Sequence, residues 1–165
     1  MREAGLHLAA AVARAIGRHG EETYPHECCG ALVGRHDRVT QIVALPNTTD
    51  KGPRRRFLVR PSDYQLSERR ATEFGGELLG FYHSHPDHPA RPSQYDLDHA
   101  WPTFAYIIVA VVGEALAHRS ADGAKAAAAT EMTVWYLKDD RSRFEEGSLN
   151  HGENSHSDPT PAVHR

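Results

Sequence analysis

The sequence predicts one α/β (α+β) domain, and three observations carry that expectation. Leu8, Val12 and Ile16 recur at a spacing of four, the stripe of an amphipathic helix. Several short runs rich in Val, Ile and Thr, bounded by Gly and Pro, read as strands. Tyr106–Val112 is a continuous apolar run, as expected of a strand buried on both faces. With 165 residues, 39% of them hydrophobic, the chain can bury one real core and has no room for a second domain.

Taken in order, the first helix begins near Leu8 and ends near Gly20, with Ala9 and Ala13 beside its stripe. Ala31–Val33 and Val39–Val43 are β-prone and joined across Gly34–Arg38, which predicts a hairpin and places Glu27 just before its first strand. Phe57–Val59 reads as a further short strand. Ser62 with Gln65 three residues on has the form of a capping box, opening a helix that closes at Gly75-Gly76. A strand from Leu78 to His85 comes next, then a short helix capped by Ser93 and running through Asp96. After the central strand at Tyr106–Val112, periodicity does not decide between loop and helix for the Ala-rich segment from Gly113 to Thr130, and Thr133–Leu137 reads as the last strand. The domain is expected to span residues 1–146, with a polar, disordered tail over 147–165.

Composition excludes several functions. A formal charge of −3 is too small for a nucleic-acid or anionic-membrane binder. No apolar stretch reaches the roughly 18 residues of a membrane span, and the N-terminal run lacks a signal-peptide layout, so a soluble, cytoplasmic protein is expected. Cys28 and Cys29 are adjacent, a poor geometry for a disulfide, and read more simply as small residues packed at a strand start than as a redox pair.

The chemistry lies in His83-Ser84-His85-Pro86 and in the loop from Asp87 to Asp96. On a strand, residues two apart share a face, so His83 and His85 offer two imidazole nitrogens to one metal while Ser84 points away. Pro86 ends the strand, and the Pro-rich loop of ten residues before Asp96 allows that carboxylate to return as a third ligand. Two histidines and a carboxylate leave an open fourth position, the arrangement of catalytic rather than structural zinc. A separate carboxylate would then have to move protons. Ser93 has two readings at the helix start: a hydroxyl that donates to an oxyanion, or a plain helix cap. In a chain with 12 histidines an H-x-H alone is weak; the Asp at this spacing makes the pattern specific.

These residues resemble the JAMM motif of the MPN-domain metallopeptidases: a Glu far upstream, H-x-H, ten residues, Asp, and a Ser inside the interval. The likeness extends to Pro25–Gly34 and to Gly80-Phe81-Tyr82, and covers about residues 5 to 145. It implies Glu27 as general base and acid, His83, His85 and Asp96 as ligands of Zn2+, and Ser93 as the oxyanion donor. It also implies a curved mixed β-sheet flanked by helices, similar to the deaminase-like three-layer arrangement. The short chain and the Ala90–Ser93 loop look like the compact bacterial and archaeal branch, which implies a zinc-dependent peptidase or isopeptidase acting after the C-terminal Gly-Gly of a ubiquitin-like or sulfur-carrier protein. The Ala-rich segment departs from those compact members.

Rival readings are a ligand-free MPN scaffold, against which the intact ligand set argues, and a JAMM peptidase acting on an unrelated peptide. A zinc nucleobase deaminase would need H-x-E and P-C-x-x-C, which are absent. A zincin would need H-E-x-x-H, and Gly30 stands where the second His belongs. The cluster Lys51, Arg54, Arg55, Arg56 and Arg60 suits an acidic partner or a terminal carboxylate, and equally a solvated face. Asn47 and Arg91 have no assigned role.

Overall fold

The computed structural model describes residues 5–47, 59–113 and 127–151, together with the backbone of 163–164. Among the described residues, eight strands and three helices are arranged in the order β1 (Gly5–Leu8), α1 (Ala10–Thr23), β2 (Cys29–Arg35), β3 (Arg38–Leu45), α2 (Pro61–Glu73), β4 (Glu77–Pro86), α3 (Gln94–His99), β5 (Ala105–Val112), β6 (Ala128–Leu137), β7 (Phe144–His151) and β8 (Val163–His164). The sheet order is β1-β7-β6-β5-β4-β2-β3-β8, with parallel and antiparallel pairs mixed.

The expected curved sheet goes further and closes on itself. β1 pairs in parallel with β7 through Gly5–Leu8 and with β3 through His7 and Leu8, so a barrel-like ring of seven strands results, with β8 alongside β3. The α+β content is as expected.

Period-2 alternation divides the apolar residues between two packing faces. Tyr82, Leu32, Ile107, Val109 and Val111 join Val12 and Ile16 of α1 in one buried cluster. Phe81, Ala31, Val33 and Tyr106 lie on the other face with Ala71 of α2. β5 is buried on both sides from Ala105 to Val111, which is why its sequence is apolar without alternation.

Several boundaries differ from the expectation, each for an identifiable reason. Leu6 and Leu8 are buried with His7 exposed between them, so the chain enters as a strand, and Leu8 belongs to β1 rather than to the helix. α1 continues past Gly20 to Thr23 because Gly20 serves close packing: a Cβ there would stand 2.8 Å from Val111 Cγ2. At α2 the cap is not Ser62 with Gln65. Pro61 opens the helix and Asp63 Oδ2 accepts from Arg60 N at 3.1 Å and Arg60 Nε at 3.2 Å, which also gives Arg60 a partner within its own chain. β6 starts at Ala128, taking the end of the Ala-rich segment into the sheet, and it is not the last strand.

β7 crosses the expected boundary at 146. Its polar residues 147–151 are held by main-chain pairing: Gly147 pairs with Val134, and Ser148–His151 pair with β1, while Leu149 packs on the α1-side core. Composition reads side chains and does not see those backbone bonds. The expected strand at Phe57-Leu58 and the basic residues Lys51 and Arg54–Arg56 lie outside the described residues, and Val59 is buried but not in a strand. Among the described residues no helix is long and apolar enough to cross a membrane.

Candidate metal centre

β4 carries the centre. His83 and His85 share the parity of Phe81 and project from the α2 side of the sheet, while Ser84 shares that of Tyr82 and points towards α1, where it approaches Gly20. Pro86 ends the strand and Asp87 takes a positive φ of 57°, turning the chain into the loop that leads to α3. Ser93 is the N-cap of α3: its Oγ accepts from Asp96 N at 3.1 Å, and Asp96 Oδ2 accepts from Ser93 N at 2.8 Å. This reciprocal capping box fixes the rotamer of Asp96 and aims the same Oδ2 at the histidines.

Three donor atoms converge there. His83 Nε2 and His85 Nε2 are 3.1 Å apart, and each lies 3.3 Å from Asp96 Oδ2. All three residues are buried. Tetrahedral zinc with nitrogen and oxygen donors at about 2.0–2.1 Å needs those donors about 3.3 Å apart, so the triangle has the size of one tetrahedral face. Donor chemistry fits as well. His85 Nδ1 stands 2.9 Å from the Pro89 carbonyl, which can only accept; Nδ1 therefore carries the hydrogen and a neutral His85 presents a lone pair at Nε2. Two imidazoles and one carboxylate could thus hold a divalent metal, with one tetrahedral position left over.

Electrostatics divides the two histidines. Burial lowers the His83 pKa and outweighs the nearby Asp96, so this ring is held neutral, as a ligand must be. At the less buried His85, burial also pulls downwards, but the hydrogen bonds to Asp96 and Pro89 and the charges of Asp96 and Glu27 raise the pKa overall. Burial pushes the Asp96 carboxyl up, yet His83, His85 and the Ser93 amide together hold it far below the usual carboxylate range.

Glu27 lies in the loop between α1 and β2, 5% exposed, and its charge acts on His85. The sheet brings it here: Cys29 pairs with His83, and the ladder continues one step as Ser84 N donates to Cys28 O at 3.1 Å. Ser84 Oγ in turn accepts from Cys28 N at 2.8 Å, and Asn47 Nδ2 donates to Glu27 O at 3.0 Å. Ser84 and Asn47 are thus residues of the site to which sequence reasoning gave no role. A polar residue of opposite parity between two candidate ligands was the available signal for Ser84. Replacing Ser84 by Ala should leave the buried Cys28 amide without this acceptor and lower stability by about 1–3 kcal/mol, read as a shift of the urea midpoint without a change in slope.

Of the remaining candidates, Cys28 and Cys29 are buried free thiols. Burial pushes Cys28 up to about 12 and Cys29 higher still, so both stay protonated and act as packing residues. Arg91 is exposed and is not drawn into the cluster. Val59, Pro92, His99, Trp101, Tyr106 and Ile108 line a largely apolar cavity together with His83 and Asp96.

The family model for prokaryotic homologs of the JAB domain (Prok-JAB) matches residues 9–135, which include every residue of this centre. The chain belongs to the Prok-JAB family. Among curated relatives, this JAB-domain chain is 32% identical over 124 residues to the desampylase of Haloferax volcanii, covering 72% of the chain and 89% of that protein. It is 33% identical over 89 residues to the probable TtuB-protein conjugate cleaving protease of Thermus thermophilus, covering 54% and 59%. It is also 35% identical over 82 residues to the tail tip assembly protein K of Escherichia phage N15, covering 50% of the chain but 31% of that protein. A solution structure from Desulfitobacterium hafniense shares the fold at a TM-score of 0.71, with 24% identity over 93% of the JAB-domain chain and 98% of its own.

Proposed function

We propose that this JAB-domain protein is a zinc-dependent peptidase or isopeptidase that hydrolyses the amide bond after the C-terminal Gly-Gly of a ubiquitin-like or sulfur-carrier protein. The observation that carries the reading is the convergence of His83, His85 and Asp96 at 3.1–3.3 Å beside the buried Glu27. Support for the substrate class comes from two relatives, a desampylase and a probable TtuB-protein conjugate cleaving protease.

In this reading His83, His85 and Asp96 hold the zinc. When bound, the ion supplies Lewis acidity, bringing the pKa of the attacking water down to about 7. Glu27 takes a proton from that water as its oxygen adds to the carbonyl carbon. The same carboxyl returns the proton to the amine nitrogen as the C–N bond breaks, so that one group serves as base and then acid. Its burial and its fixed backbone keep it aimed without reorganisation.

Ser93 serves both roles read from the sequence. Capping uses one acceptor lone pair of its hydroxyl, at Asp96 N, and leaves the O–H free to donate to the developing oxyanion; the residue is exposed, so a substrate can reach it. Ser93→Ala should therefore cost about 1 kcal/mol of stability for the lost cap and about a hundredfold in turnover for the lost donor. Thermal unfolding and kcat, measured side by side, separate the two effects.

The test is intact-mass analysis of ubiquitin-like and sulfur-carrier proteins extended beyond Gly-Gly, incubated with the zinc-loaded protein. Cleavage directly after Gly-Gly is the expected result. Intact extensions on every such protein, with cleavage of an unrelated peptide, would replace the substrate class and leave the chemistry standing.

A further inference from the structure

Glu27 sits in an irregular stretch, 24–28, and the contacts that hold such a stretch decide how well its carboxylate is aimed. Its C-terminal side is held by Ser84, through the Cys28 amide and carbonyl. Its N-terminal side is held by Tyr24, whose hydroxyl donates to Asp87 Oδ2 at 2.6 Å. The other carboxylate oxygen, Oδ1, accepts from Gly113 N at 2.7 Å, and Asp87 N donates to Val111 O at 2.7 Å.

Asp87 therefore joins three segments: the loop bearing Glu27, the turn that leaves His85, and the end of β5. Its backbone conformation, φ 57°, is one that Asp and Asn tolerate better than most residues. Gly113 is required by the same knot. A Cβ there would stand 2.0 Å from the Tyr24 hydroxyl and 3.3 Å from Asp87 Oδ1, so a side chain would drive Tyr24 out of place.

We propose that Tyr24 and Asp87 are positioning residues, a brace that sets Glu27 relative to His83 and His85. The proposal rests on the reading of Glu27 as the proton carrier. Asp87 is two residues from His85 along the chain, so the brace and Ser84 tie both sides of Glu27 to one strand and its turn. A displacement of the histidines then carries Glu27 along with them. The Tyr24–Asp87 bond is at the surface, where such bonds add little to stability. Its consequence lies in geometry, because small displacements of a reacting group cost more in rate than surface bonds contribute to folding.

The test compares Tyr24→Phe in the wild-type and Glu27→Gln backgrounds, using the full zinc-loaded chain and a protein extended beyond Gly-Gly. In the wild-type background kcat should fall about tenfold with KM and melting temperature essentially unchanged. In the Glu27→Gln background the same change should be silent, since nothing remains for the brace to aim. Independently of turnover, the Cys28 amide should exchange hydrogen faster in Tyr24→Phe. Asp87→Asn should cost less in the Tyr24→Phe background than alone. An unchanged kcat, or an equal fractional loss in both backgrounds, overturns the brace. Full activity of Glu27→Gln by itself overturns the underlying reading, and is distinguished because it arises with Tyr24 intact.

Discussion

Glu27→Gln should keep its zinc and lose turnover by about 10^3-fold. Glutamine matches glutamate in shape and can hydrogen bond, but at working pH it neither takes nor returns a proton. Glu27 is not among the three clustered donor atoms, so the metal set stays complete. The loop stays anchored too, because its ties run through the main chain, from Asn47 to Glu27 O and between Cys28 and Ser84. Metal content by elemental analysis and kcat by intact mass give the two readings on one sample. Retained activity would mean that another group moves the proton.

Asp96→Ala should produce the other large effect, loss of the metal itself. One side chain performs two tasks here: Oδ2 completes the donor triangle and accepts from the Ser93 amide. Removing it leaves two buried Nε2 atoms 3.1 Å apart without the carboxylate that faces both. Zinc affinity is expected to fall by more than about a hundredfold, and α3 to lose about 1 kcal/mol from its broken capping box. Competition with a chelator of known affinity measures the first and thermal unfolding of metal-free protein the second. Asp96→Asn separates them, since the amide oxygen can still cap while the charge is gone. If Asp96→Ala bound zinc as tightly as the wild type, the triangle would not be the metal site.

Features of this fold were legible in the sequence where the force behind them leaves a local pattern. Strand parity placed His83 and His85 on one face, and Ser93 read as the cap of a short helix running through Asp96; the structure has both. The hairpin of β2 and β3 and the doubly buried β5 were equally visible, because each shows as a run of apolar or β-branched residues. Elements held by backbone pairing between distant segments left no such trace. β1 has four residues, and β7 carries Glu145, Glu146 and Asn150 among its eight; neither shows until the other lies beside it.

The same distinction applies to the site. The three candidate ligands lie within one strand, loop and helix start, close enough for spacing to carry information. Glu27 stands 56 positions before His83, and its proximity came from resemblance, not from spacing. The supports around it escaped because each is a contact across the sheet: Ser84 with Cys28, Asn47 with Glu27, Tyr24 with Asp87. Ser62 and Gln65 show the converse error. The local capping signature was present, but Pro61 and Asp63 made a better helix start two residues earlier.

The most direct measurement of the central claim is zinc titration of chelator-stripped protein, with hydrolysis after Gly-Gly followed by intact mass. Activity should be absent without metal, rise linearly, and saturate at about one zinc per chain, as a single three-ligand centre requires. Hydrolysis that persists in the stripped protein, or that zinc does not restore, would contradict the account.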